Sequence, residues 1–183
     1  MAEIKRNKPD QNRQVVKSSS RNKTVVRGRT QRTPDKRLFA CASGRVLSLS
    51  DVDDPVFAQK MLGEGVAFVP SGDVITAPCN GIVVLISNNK NVIGLENEQG
   101  DQVLIHVGID TSALKGKGFE PLVSEGQKVH PGQPILKFDR RILENMNVDL
   151  TTPMTITNCD PGDYRVLEAD SCTGGRTLVM EKA

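Results

Sequence analysis

His106, Gly108 and Asp110 recur at every second position of Leu104-Ile105-His106-Val107-Gly108-Ile109-Asp110-Thr111, and their types can do chemistry. On an extended run, His106 projects from the face opposite to that of Ile105 and Val107. Gly108 lets the backbone turn closely enough for its carbonyl to accept from the ring Nδ1–H. Nε2 is then unprotonated and nucleophilic near neutral pH. A nitrogen of that kind attacks phosphorus well and also leaves it well, the requirement for covalent relay. Transition states of phosphoryl transfer are loose, so the protein contributes mainly positioning and charge stabilisation. Asp110 either orients nearby groups or caps the turn that follows. The other histidine, His130, sits at a Pro131-Gly132 turn and reads as a solvated loop residue.

The elements that must hold His106 read as short strands. Val46-Leu47-Ser48-Leu49, Val66 to Val69, Ile82 to Ile86 and Val103-Leu104-Ile105 are apolar runs bounded by turn residues. Pro134 to Phe138, Met154 to Thr157 and Thr177 to Met180 are similar. Many short strands at close spacing predict an all-β protein, an antiparallel β-sandwich with barrel-like closure. Two short helical turns are expected, over residues 54–60 and 140–145. Leu104, Ile109, Leu114 and Phe119 are expected in the core, and Gly116 and Gly118 to shape a turn. Ala40-Cys41-Ala42-Ser43-Gly44-Arg45-Val46 recurs in outline as Ala77-Pro78-Cys79-Asn80-Gly81-Ile82-Val83, each copy placing a Gly turn before a β-branched run.

The charge is divided along the chain. Residues 1–37 hold twelve Lys and Arg against three Asp and Glu, whereas 38–183 hold twelve against nineteen. A basic arm with little to bury is expected to be disordered, attached to an acidic folded domain over 38–183. Such an arm suits weak contact with an anionic lipid or nucleic-acid surface, although no aromatic residue is present in 1–37 to stack on bases. Cys41, Cys79, Cys159 and Cys172 form no CxxC pair, and with two histidines they fit no common zinc pattern. Scattered thiols, no apolar run long enough to span a membrane and no secretory leader predict a cytoplasmic protein.

Several further stretches accompany the histidine run in a fixed order. They are Ala42-Ser43-Gly44, Asp51-Val52 with Asp54-Pro55-Val56-Phe57-Ala58, Gly63-Glu64-Gly65, Pro70-Ser71-Gly72 and Leu114-Lys115-Gly116-Lys117-Gly118-Phe119. Glu125-Gly126-Gln127-Lys128-Val129, Phe138-Asp139 and Thr152-Pro153 to Asn158 follow. In this order the chain from about Leu38 onward resembles the glucose-type enzyme IIA domain of the bacterial sugar phosphotransferase system. That resemblance implies a duplicated hybrid motif and makes His106 the phosphorylated residue. The phosphoryl group would come from the phosphocarrier HPr and pass to a cysteine of a sugar-specific IIB domain of a membrane permease. It implies no metal and no organic cofactor, and a place in the cytoplasm or at the inner face of the membrane. The family carries a second, supporting histidine where this chain has Asn91, and often a Thr where it has Asn89. Asn91 keeps an amide donor but brings no charge. The resemblance therefore leaves a working carrier beside an alternative, a phosphorylatable sensor whose output is binding to regulatory partner proteins. Lys90 is expected on the strand face opposite Asn91. The stretch Val123 to Pro134 also looks like half of a biotinyl or lipoyl module, but the nearest candidate for its lysine, Lys60-Met61, falls in an expected helical turn.

Overall fold

Each short apolar run has one face to bury, and stacking these faces produces an antiparallel β-sandwich. The structure is a computed structural model and describes residues 35–183. Its strands are β1 (Arg37–Phe39), β2 (Gly44–Ser48), β3 (Glu64–Pro70), β4 (Val74–Thr76), β5 (Gly81–Ile86), β6 (Val92–Asn97) and β7 (Gln102–His106). They continue as β8 (Phe119–Pro121), β9 (Lys128–Val129), β10 (Pro134–Phe138), β11 (Thr152–Ile156), β12 (Tyr164–Val166), β13 (Ser171–Cys172) and β14 (Leu178–Lys182). Eight of these form one sheet in the order β13-β2-β3-β11-β7-β6-β5-β9, beside two three-stranded sheets, β1-β14-β12 and β4-β10-β8. Backbone bonds outside the ladders close the sheets onto one another. Thr76 N–H donates to Cys41 O at 2.7 Å, Ala77 N–H to Gln133 O at 2.8 Å and Phe39 N–H to Pro78 O at 2.9 Å.

Two short helices stand where helical turns were expected. In α1 (Pro55–Ala58) the Asp54 carboxylate accepts from Val56 N–H at 2.8 Å, and Pro55 starts the helix without an orphan donor. In α2 (Arg140–Asn145) Asp139 caps Arg141 and Ile142. The first ends sooner than its sequence suggested. Lys60 lies beyond it, at φ 54°, with its ammonium 2.8 Å from Glu64.

Other differences have plain causes. β6 lacks a continuous apolar run in the sequence, since Gly94 interrupts it, yet Ile93 and Leu95 are buried and Gly94 lets Leu85 pack closely against the strand. Leu104 is partly exposed rather than core, since a period of two puts it on the same face as His106. Lys90 is not on a strand: it occupies the β5–β6 hairpin turn at φ 59° and is exposed. Order begins before Leu38, because Arg37 pairs with Glu181 and Lys182 N–H donates to Lys36 O at 2.9 Å. The rest of the expected arm, residues 1–34, lies outside the described residues.

The repeated glycines both open a strand, β2 and β5, but for different reasons. Gly44 takes φ 148°, while Gly81 has no such angle and is needed for space, its missing Cβ lying 2.4 Å from Glu96 O. The main core contains Phe68, Phe138, Ile93, Leu95, Ile105 and Met154. A second, smaller cluster of Leu49, Val52, Phe57, Ala67 and Ile109 joins α1 to the loop after β7. That cluster matters for the site.

Candidate functional site

β7 runs through the middle of the large sheet and ends at His106. Ile105 and Val107 point into the core on either side, so the ring is left on the other face, half-buried. Immediately after the strand, Gly108 at φ 73° turns the chain, and its carbonyl lies 2.8 Å from His106 Nδ1. A carbonyl oxygen can only accept, so Nδ1 carries the proton and neutral His106 has its lone pair on Nε2. Phe57 fixes the ring from the side, edge-on at 5.6 Å between centroids and 62° between planes. Phe57 is itself held by the smaller apolar cluster.

Asn91 comes from the β5–β6 hairpin. Val92 pairs with His106, and Val107 N–H donates to Asn91 O at 2.8 Å, which extends the ladder and seats Asn91 beside the ring. Its Nδ2 lies 3.4 Å from Nε2, and it also donates to Thr111 Oγ1 at 2.6 Å. Asn91 Oδ1 accepts from Ser87 Oγ at 3.1 Å. Asn91 and Thr111 are both buried, so this amide is enclosed and fully engaged. Burial pulls His106 below the ordinary histidine range, and the Gly108 carbonyl and the carboxylates of Asp54 and Asp110 oppose that shift without overcoming it. A neutral imidazole at neutral pH is the result.

Asp110 is exposed, at φ 54°, and its carboxylate makes no hydrogen bond among the described residues. It acts on the ring through charge rather than as the cap of the 3₁₀ turn at Thr111–Leu114. Gly116 and Gly118 both take φ 83° and turn the loop that follows. His130 is exposed and far along the chain, bonded only to Pro131 O at 3.2 Å. All four cysteines are free, and burial pushes Cys79 up to about 12, leaving it inert as a nucleophile.

His106, Gly108 and Asp110 of the one sequence run, and Asn91, which only the resemblance places beside the ring, lie together in the structure with Phe57, Ser87 and Thr111. The last three carried no assigned role. Ser87, four residues before Asn91 across a hairpin turn, left a faint local signal. Phe57 left none, because its contact with the ring joins segments 49 positions apart.

Known proteins share this arrangement of strands and sequence. Residues 36–161 match the family described as phosphoenolpyruvate-dependent sugar phosphotransferase system, EIIA 1. The chain is 38% identical over 149 residues to the PTS system glucose-specific EIICBA component of Staphylococcus saprophyticus, a match covering 81% of the chain and 22% of that protein. The chain thus spans about a fifth of the length of that relative. It is also similar to the solved glucose permease IIA from Mycoplasma capricolum, with TM-score 0.73 and 26% identity over 81% of this chain and 96% of the other. No helix of the described residues is long and apolar enough to cross a membrane.

Proposed function

The chain belongs to the EIIA 1 family of the phosphoenolpyruvate-dependent sugar phosphotransferase system, and from that premise we propose that His106 Nε2 is its phosphoryl acceptor. One observation carries the reading: Nδ1 is committed to the Gly108 carbonyl at 2.8 Å, so the lone pair is on Nε2. In the step itself, that lone pair forms an N–P bond as the bond from phosphorus to the nitrogen of phosphorylated HPr breaks. The bonding electrons return to HPr. Onward transfer reverses this at the sulfur of a IIB-domain cysteine, and Nε2 recovers its lone pair. A neutral ring at working pH supports charging, because a protonated Nε2 could not attack, and the proton held on Nδ1 by the Gly108 carbonyl lets Nε2 leave as part of a neutral imidazole. Free, largely buried thiols fit action in a reducing cytoplasm.

Asn91 favours a second reading, in which His106 is charged but discharges slowly and the phosphorylated chain acts as a signal to partner proteins. An enclosed neutral amide offers a donor but no charge to the developing phosphoryl oxygens. Relative to a charged donor, this forfeits about 2 kcal/mol of transition-state stabilisation, roughly 30-fold in rate. Charging with labelled HPr-phosphate, then chasing with a IIB domain, separates the readings. Label on His106 that passes quickly to IIB makes the chain a carrier, while label that persists makes it a sensor. Absence of label from His106 overturns both. In the same assay Asn91→His is expected to raise the onward rate about 30-fold.

A further inference from the structure

Ser87 stands where strand β5 has just ended, and its side chain does something its backbone does not need. The hairpin is held by Ser87 N–H to Val92 O at 3.0 Å and Lys90 N–H to Ser87 O at 2.8 Å. The hydroxyl is therefore free for other work. It accepts from Val92 N–H at 3.1 Å and lies 3.1 Å from Asn91 Oδ1. Since Val92 supplies a proton to Ser87 Oγ, the serine's own proton is left to donate to Asn91 Oδ1. At the opposite end, Nδ1 keeps its proton and donates it to the Gly108 carbonyl, so neutral Nε2 can only accept. A carboxamide is nearly symmetric in shape and could sit either way round. Here both ends set its direction.

We propose that Ser87 is a positioning residue that holds the Asn91 amide with its NH₂ toward His106. The hydrogen bonds then run one way, from Val92 N–H through Ser87 Oγ–H to Asn91, and from Asn91 Nδ2–H to Nε2. Thr111 Oγ1 accepts from the second amide N–H at 2.6 Å and keeps the amide plane from swinging. The bond to Nε2, at 3.4 Å, is long and easily released. Attack on phosphorus can thus proceed, and the same N–H is in place for a phosphoryl oxygen afterwards. A neutral donor of fixed direction stands where the family's supporting histidine would, and Ser87 holds that direction from the end away from the ring. This inference rests on the reading of His106 as the acceptor.

The test is an NMR pH titration of His106 in the full chain, paired with the lifetime of label on the charged protein. The carboxylates of Asp54 and Asp110 also act on the ring and are left untouched. Ser87→Ala is expected to raise the His106 midpoint by about half a unit, because a freed amide can turn Oδ1 to Nε2 and favour the imidazolium. It is also expected to shorten the label's lifetime about threefold, through loss of one aligned hydrogen bond. Ser87→Thr restores both values, and Ser87→Ala adds nothing in an Asn91→Ala background. If Ser87→Ala destabilises the fold, Ser87→Cys, with its weak S–H donor, shifts the midpoint in the same direction. An unchanged midpoint, or an equal shift when Asn91 is already Ala, overturns the proposal. A midpoint shift with no label on His106 upholds the role of Ser87 in directing the amide and overturns the phosphoryl reading alone.

Discussion

At His106 burial and charge compete, and burial prevails. Its ring is half out of water and sits below the ordinary value of 6.5, despite the carboxylates of Asp54 and Asp110. Between the lowered folded value and the unfolded value, the unfolded chain binds more protons. The contribution of this group to stability is therefore complete above 6.5 and declines as pH falls from there toward the folded value. Urea midpoints followed down from neutral pH should fall across that window, and His106→Gln should remove that component of the fall. The bond from Nδ1 to Gly108 O was legible in the sequence, because it spans two residues and a glycine marked the turn. The enclosure of Asn91 was not. It depends on Ser87, Thr111 and His106 arriving from separate segments.

Among elements, the loop after β7 is tightly constrained where it holds the ring. Gly108 combines φ 73° with a tight fit, since a Cβ there would lie 2.8 Å from Thr111 Cγ2 and 3.1 Å from Asp149 O. Ile109 N–H also donates to Asp149 O at 2.8 Å, so the loop cannot simply move aside. Gly108→Ala is expected to cost about 1–3 kcal/mol in urea unfolding. It should also slow labelling of His106, because the carbonyl that fixes Nδ1 shifts with it. The helix α1 falls within the helical turn expected over 54–60, and its Asp54-Pro55 start is a local capping signal. What that helix is for was not legible. Phe57 reaches His106 only because Leu49, Val52, Ala67 and Ile109 pack around it.

Across the whole molecule, the far end of the same central strand is held by a buried charge. Asp101, just before β7, is 5% exposed and accepts from Tyr164 Oη at 2.6 Å, Lys182 Nζ at 2.6 Å and Asn97 Nδ2 at 3.1 Å. It joins the large sheet to β12 and β14. Burial alone would raise Asp101, but the bonds from Lys182, Tyr164 and Asn97 bring it below its ordinary 3.8. Its contribution is therefore present above 3.8 and is lost as pH falls through the lowered folded value. Asp101→Ala leaves Tyr164 and Lys182 without an acceptor and is expected to cost about 3 kcal/mol in urea unfolding. Labelling of His106 should be unchanged, since the ring lies at the other end of the strand.

The sequence by itself determined the strand-rich architecture, the places of the two short helices and the turn that brings Gly108 O to His106 Nδ1. All three are carried by local signals, namely short apolar runs, the turn residues between them and a histidine two positions before a glycine. Only the tertiary structure decided the direction of the Asn91 amide, the support of Phe57 and the burial that keeps His106 neutral. Those properties belong to atoms that are distant along the chain, and they exist only once strand pairing has brought hairpin, loop and helix together around Nε2.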